Sequence, residues 1–201
     1  MNKIVCLGAL MAVLAAFAGS AEPDGTDFVV TAGSGESFTN STAIGNYARL
    51  VKRGAGEVVL TAATTAFAGD VLVEEGTLSI TVLGALGTAS PITVESGATF
   101  YLKTPHGSGQ TVGLFNKHKL TIAGDGVDGK GAIRYLPSNG GASDDSLLGT
   151  IDLTADATIE CDYRWGVHGS NGGVINLNGH RLRRICNDTS GSQWMLNNCT
   201  V

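Results

Sequence analysis

Three short words in this chain carry residues whose types could do chemistry. They are Asp144-Asp145, Val167-His168-Gly169 and Arg184-Ile185-Cys186, in that order. Adjacent carboxylates are the raw material of inverting glycoside hydrolysis. One carboxyl must stay protonated to serve the leaving oxygen, while the other activates a water on the far side of the sugar. Asp144-Asp145 also lies in Ser-Asn-Gly-Gly-Ala-Ser-Asp-Asp-Ser, which is loop composition. Motifs this short need a structural context before they carry a mechanism. The sequence therefore assigns no catalytic residue, and a non-enzyme is expected.

Other candidate sites dissolve in a similar way. Gly124-Asp-Gly-Val-Asp-Gly-Lys-Gly131 clusters Asp125 and Asp128 among glycines, as a Ca²⁺ loop would. It has neither EF-hand spacing nor a repeated array, so a tight corner built on Asp and Gly is the plainer expectation. His106, His118, His168 and His180 lie in unrelated stretches with no paired metal-ligand spacing. His180 follows the turn pair Asn178-Gly179 and is expected at a corner. Arg181, Arg183 and Arg184 flank an inward Leu182 and read as a solvated strand face. No metal and no cofactor is expected. The sequons at Asn40, Asn187 and Asn198 are what an Asn- and Thr-rich composition produces by chance.

The elements that would position any site are short and repeated. Val58/Leu60, Val71/Val73, Leu78/Ile80, Ile92/Val94 and Phe100/Leu102 alternate with polar residues between Gly-centred corners. Period-2 alternation over so few residues predicts half-buried strands. Val71–Ile80 and Ile92–Leu102 are nearly one sentence, and Ile151–Cys161 matches the second without a gap. That match predicts Val94 and Leu153 inward, Cys161 in the core with Leu102, and Gly97 and Asp156 at equivalent corners of positive φ. Repetition at about twenty residues, strand-turn-strand, is the signature of a β-solenoid. Roughly seven to nine rungs at about 4.8 Å would make a rod about 35–45 Å long.

A family resemblance rests on these residues. Lys52, Gly54, Gly56, Val58, Leu60, Thr61, Phe67, Gly69, Val71, Val73, Gly76, Thr77 and Leu78 resemble the autotransporter-associated β-strand repeat. The stretches 131–134, 149–159 and 175–182 resemble segments that commonly follow it. Glu57, Asp70 and Thr64 depart from the pattern, at positions expected to be corners or outward-facing. The resemblance implies an all-β, right-handed parallel β-helix in an exported surface protein, and it brings no catalytic residues. Such helices also carry pectinase-type hydrolases, whose Asn-Thr-Asp element is missing here.

Met1–Ala21 has Lys3, an apolar run from Ile4 to Phe17 and small residues at Ala16, Ala18, Ser20 and Ala21. This is a secretory leader, too short to span a membrane. Cleavage is expected between Ala18 and Glu22, by preference after Ala21. Residues 22–47 then read as an N-terminal capping segment and 48–201 as the repeats. The mature chain has no transmembrane segment, and the protein is expected to be secreted or at the cell surface. A net charge of −5 with no basic stripe argues against nucleic acid. Scarce charge suits stacked strands, where like charges on adjacent rungs repel.

An unidentified surface or glycan is the expected partner. A carbohydrate-binding role would need an exposed aromatic platform, and Tyr101, Tyr135, Tyr163, Trp165 and Trp194 are the candidates. Three cysteines follow the leader, and Cys186 with Cys199 form a candidate disulfide in an oxidising compartment. The last residues, Gln193–Val201, read as the opening of another rung. The sequence thus predicts a truncated member, or a last edge that pairs end to end with another molecule.

Overall fold

The computed structural model describes residues 19–103, 117–135, 144–161, 165–168, 173–186 and 194–197, with the backbone path alone at 144–147, 165–166, 168 and 194–197. A hairpin opens the fold, in which β1 (Gly19–Asp24) lies antiparallel to β2 (Asp27–Ala32). From β2 onward the pairings are parallel. One ladder runs from β2 through β4 (Arg49–Arg53), β6 (Asp70–Val73), β8 (Ile92–Val94) and β10 (Lys119–Gly124). It ends on the first half of β13 (Thr150–Cys161) and on β15 (Val174–Asn176). The second ladder runs from β3 (Ser37–Asn40) through β5 (Glu57–Leu60), β7 (Thr77–Ile80), β9 (Thr99–Leu102) and β11 (Ile133–Tyr135). It closes on the second half of β13 and β16 (Leu182–Ile185). A smaller parallel sheet holds β12 (Asp144–Leu148), β14 (Trp165–His168) and β17 (Trp194–Asn197).

This is an all-β parallel β-solenoid of about 6 turns. Seven strands stack in the first ladder, the lower end of the seven to nine rungs expected from the repeat spacing. The early coils, from Phe28 to Leu50 to Val71 to Ile92, keep the short spacing. The coils from Ile92 to Leu120 and from Leu120 to Ile151 are longer, and the second carries the 3₁₀ turn at Val127–Gly129 and β12 outside the two ladders.

Alternation in the sequence becomes four inward columns. Phe28, Leu50, Val71, Ile92, Leu120, Ile151 and Ile175 stack in one. Val30, Lys52, Val73, Val94, Ile122 and Leu153 stack beside it. Opposite them stand Phe38, Val58, Leu78, Phe100, Ile133 and Ile159, then Asn40, Leu60, Ile80, Leu102, Tyr135 and Cys161. Nearly all are buried, and each buried Val, Ile or Leu contributes about 1.5–3 kcal/mol of transfer free energy. Val94 and Leu153 face inward as predicted, with Ile122 between them, and Cys161 shares Leu102's column.

The corner prediction fails in one place. Gly97 has φ 86, but Asp156 is not among the positive-φ residues and lies inside the continuous strand β13. The turn at Gly97 is tight, with Ala98 N–H donating to Glu95 O. Below β13, by contrast, the chain leaves Gly124 on a wide loop, and the register shifts so that Gly124 pairs Ala157. A corner opened this far is crossed by extended backbone.

Outward charges are stacked with alternating sign. Asp27, Arg49 and Asp70 share a register, and Arg49 Nη2 lies 2.6 Å from Asp27 Oδ2. Arg53 meets Glu74 at 2.8 Å and Lys119 meets Asp152 at 2.6 Å. Such exposed pairs add little stability each, but they avoid repulsion between rungs.

Corners are held by side chain-to-backbone bonds. Thr64 is buried, its hydroxyl accepts Ile44 N–H at 2.8 Å, and its own N–H donates to Gly84 O. One threonine thus ties two neighbouring corners. Lys52 is the less expected device. It sits in an apolar column, fully buried, and its ammonium donates to Arg53 O at 2.9 Å, Gly54 O at 2.5 Å and Glu75 O at 2.9 Å. Burial pushes its pKa down from 10.5 to about 8, opposed by the Glu75 carboxylate.

The sign of the pH effect follows. Between pH 8 and 10.5 the unfolded chain holds the lysine proton and the folded one has released it. Stability therefore rises with pH across that window. Relative to Lys52→Met, the wild type should gain about 2–3 kcal/mol between pH 7.5 and 10 by urea unfolding. A pH-independent difference would contradict the buried-ammonium description.

The first coil lies within the expected capping segment 22–47, since β2 and β3 already stack beneath β4 and β5. Capping falls to β1, which covers the outer edge of β2. Gly19–Ala21, expected to leave with the leader, form the first half of that strand. No helix among the described residues is long and apolar enough to cross a membrane.

Candidate functional site

Two of the three hydrolase-like words fall on neighbouring strands of the small sheet, and the third falls in the main sheet. Asp144 and Asp145 lie on β12 and His168 on β14, in the small sheet, with Asp144 opposite Trp165 and Leu148 opposite Val167. The side chains of Asp144, Asp145 and His168 lie outside the described residues. Arg184 belongs to β16, in the main sheet, stacked over Ile159. Its Nε donates to the buried Cys161 Sγ at 3.2 Å. This corrects the expectation of a solvated arginine face. Arg181 and Arg183 are exposed, but Arg184 is half-buried and follows Ile159 in register, beside the half-buried Leu182.

A built polar surface lies elsewhere, on the outward face of the second ladder. Tyr101 on β9 stands between Ser79 of β7 and Arg134 of β11. Arg134 is followed in register by Glu160, and the two are paired through Nε and Oε2. Lys103, just beyond β9, pairs with Glu57 on β5, and Glu57 also accepts the buried Ser79 hydroxyl. Lys103 Nζ lies 4.8 Å and the Arg134 guanidinium 4.7 Å from the Tyr101 ring centroid. Two cations on one ring contribute about 0.5–1 kcal/mol apiece at a partly exposed site.

The 124–131 loop forms the wall of this surface. Thr99 on β9 donates its hydroxyl to Gly131 O and accepts Val127 N–H, each at 2.9 Å. Asp125 accepts the Thr158 hydroxyl, and a 3₁₀ turn at Val127–Gly129 raises Asp128 and Lys130 to the rim. The cleft so formed holds about 180 Å³ and is lined by Glu57, Thr77, Tyr101, Lys103, Val127 and Arg134, with Asp128 and Lys130 at its rim. The Asp-Gly loop is thus a corner excursion tied to β9 and β13. No group of three or more His, Cys, Asp or Glu among the described residues is placed to hold a metal.

Such a cleft can bind a polar ligand by hydrogen bonds and charge. Two of its cations, Lys103 and Arg134, are already paired with carboxylates. Sequence reasoning missed it, because Glu57, Tyr101 and Arg134 are far apart in the chain. Counting outward positions rung by rung would have found the column Ser79–Tyr101–Arg134–Glu160.

The remaining candidates scatter. His118 is buried, with Nδ1 2.7 Å from Ser90 O, and burial lowers its pKa against the backbone bonds to Ser90 and Gly87. It belongs to the packed coil and not to a polar loop. His180 sits at the turn expected for it, where Asn178 has φ 51, Gly179 φ 84, and His180 N–H donates to Leu177 O. His106, Cys199 and Tyr163 lie outside the described residues, and with Cys199 the pairing to Cys186. Tyr135 is buried in the core, which removes it as a platform. Trp165 and Trp194 are register partners on β14 and β17.

No protein family, curated protein or solved structure matches this chain. What the geometry establishes by itself is the fold: a parallel β-solenoid of about 6 turns.

Proposed function

We propose that this chain is an exported, non-catalytic surface protein of the autotransporter-associated repeat kind, serving as a passenger or stalk with a structural or adhesive role. The observation that carries this reading is the parallel stack, whose repeat residues recur at equivalent stations. Lys52, Val58, Leu60, Val71, Val73 and Leu78 all face inward, while Gly54 and Gly76 share positive φ at successive corners. Each rung templates the next through its backbone, so length and rigidity are what the sequence specifies. The apolar leader and the paired outward charges fit an exported rod.

A carbohydrate-binding surface is the second reading, favoured by the cleft around Tyr101. A pectinase-like hydrolase is weaker, because Arg184 is turned toward Cys161. End-to-end self-association belongs to the same proposal. A glycan array probed with the exported chain separates the first two readings. The stalk reading predicts no glycan above background. Binding that Tyr101→Ala removes, with the fold intact by circular dichroism, would establish the second instead.

A further inference from the structure

Ala16-Phe-Ala18 and Gly19-Ser-Ala21 both place small residues at the two positions a leader peptidase reads. Sequence alone permits cleavage after either alanine. The fold distinguishes them. Gly19, Ser20 and Ala21 pair with Ala32, Thr31 and Val30, as the first half of the strand covering β2. Ser20 and Thr31 hydroxyls are hydrogen-bonded at 2.9 Å, and Ala21 packs against the core. A Cβ built on Gly19 would collide with Phe38 Cβ and Thr31 O. The residue type at 19 is therefore demanded by packing, which would be pointless in a segment thrown away.

We infer that the leader is removed between Ala18 and Gly19, and that the freed end is the strand that closes the first edge of the solenoid. The reaction is peptide hydrolysis by the host's leader peptidase. One water is added across the amide, leaving a carboxylate on Ala18 and an ammonium on Gly19. Cutting after Ala21 would strip half of β1 and leave Val30–Ala32 as an open ladder edge, the kind that recruits other chains. This inference rests on the export reading.

The test uses the full chain, expressed in a bacterium with its own leader peptidase and recovered from the exported fraction. Terminal sequencing and intact mass should find Gly19 first. A mature end at Glu22 would overturn the inference while leaving export standing. An uncut chain would overturn both. Ala18→Leu should abolish the Gly19 end, and Ala21→Leu should leave cleavage there unchanged. If Ala21→Leu blocks processing, or Ala18→Leu does not, the site is wrongly assigned. A chain made to begin at Glu22 should melt about 2–4 °C below one beginning at Gly19. Equal melting would remove the capping role.

Discussion

Replacing Lys52 by alanine should cost about 3–5 kcal/mol, among the largest single-site losses in this chain. Two effects add. Its methylenes fill the column between Val30 and Val73, so truncation opens a cavity in the core. Its ammonium also satisfies three carbonyls, at Arg53, Gly54 and Glu75, on two successive corners. Lys52→Met separates the two. It restores the volume and removes the donors, and it should cost about 1–3 kcal/mol, the penalty of unpaired polar groups. Urea unfolding with an unchanged m-value would check both. A neutral Lys52→Ala would mean that the lysine neither fills the core nor ties the corners.

Gly76→Val should be of similar size, about 3–5 kcal/mol, and should reduce soluble yield. Gly76 has φ 68, and a Cβ there would run into Gly54 O and Gly56 O of the coil beneath. Its own carbonyl accepts Thr99 N–H from the coil above. Three coils are thus stacked through one glycine, and a side chain would wedge them beyond about 4.8 Å. Gly97→Ala is the control. Gly97 has φ 86 but nothing within 4 Å of a built Cβ. Only backbone strain remains there, about 1–2 kcal/mol. Equal losses at the two sites would show that strain, and not stacking, governs the corners.

Much of the architecture was legible because strands announce themselves every second residue. The gapless match of Ile92–Leu102 with Ile151–Cys161 put both units in the same columns, with Leu120–Tyr135 between them. What the match could not show is that the middle coil swells at Gly124–Gly131 and opens the corner. That swelling leaves Asp156 extended where Gly97 turns. Lys52 was hidden for another reason. A charged residue reads as outward, yet its parity with Leu50 already placed it inside. The same parity, carried from Ile159 by register, places Arg184 over the core. The Ser79–Tyr101–Arg134–Glu160 column was open to the same count of parity, but the Asp128 and Lys130 rim depends on how the 124–131 loop is tied to Thr99.

On the proposed function, this solenoid acts through its stacked surface without catalysis. Reducing-sugar release from polygalacturonate by the exported chain tests it most directly, run beside the triple variant Asp144→Ala, Asp145→Ala, His168→Ala. No release above the blank is expected from either protein. Hydrolysis by the parent that disappears in the triple variant would contradict it.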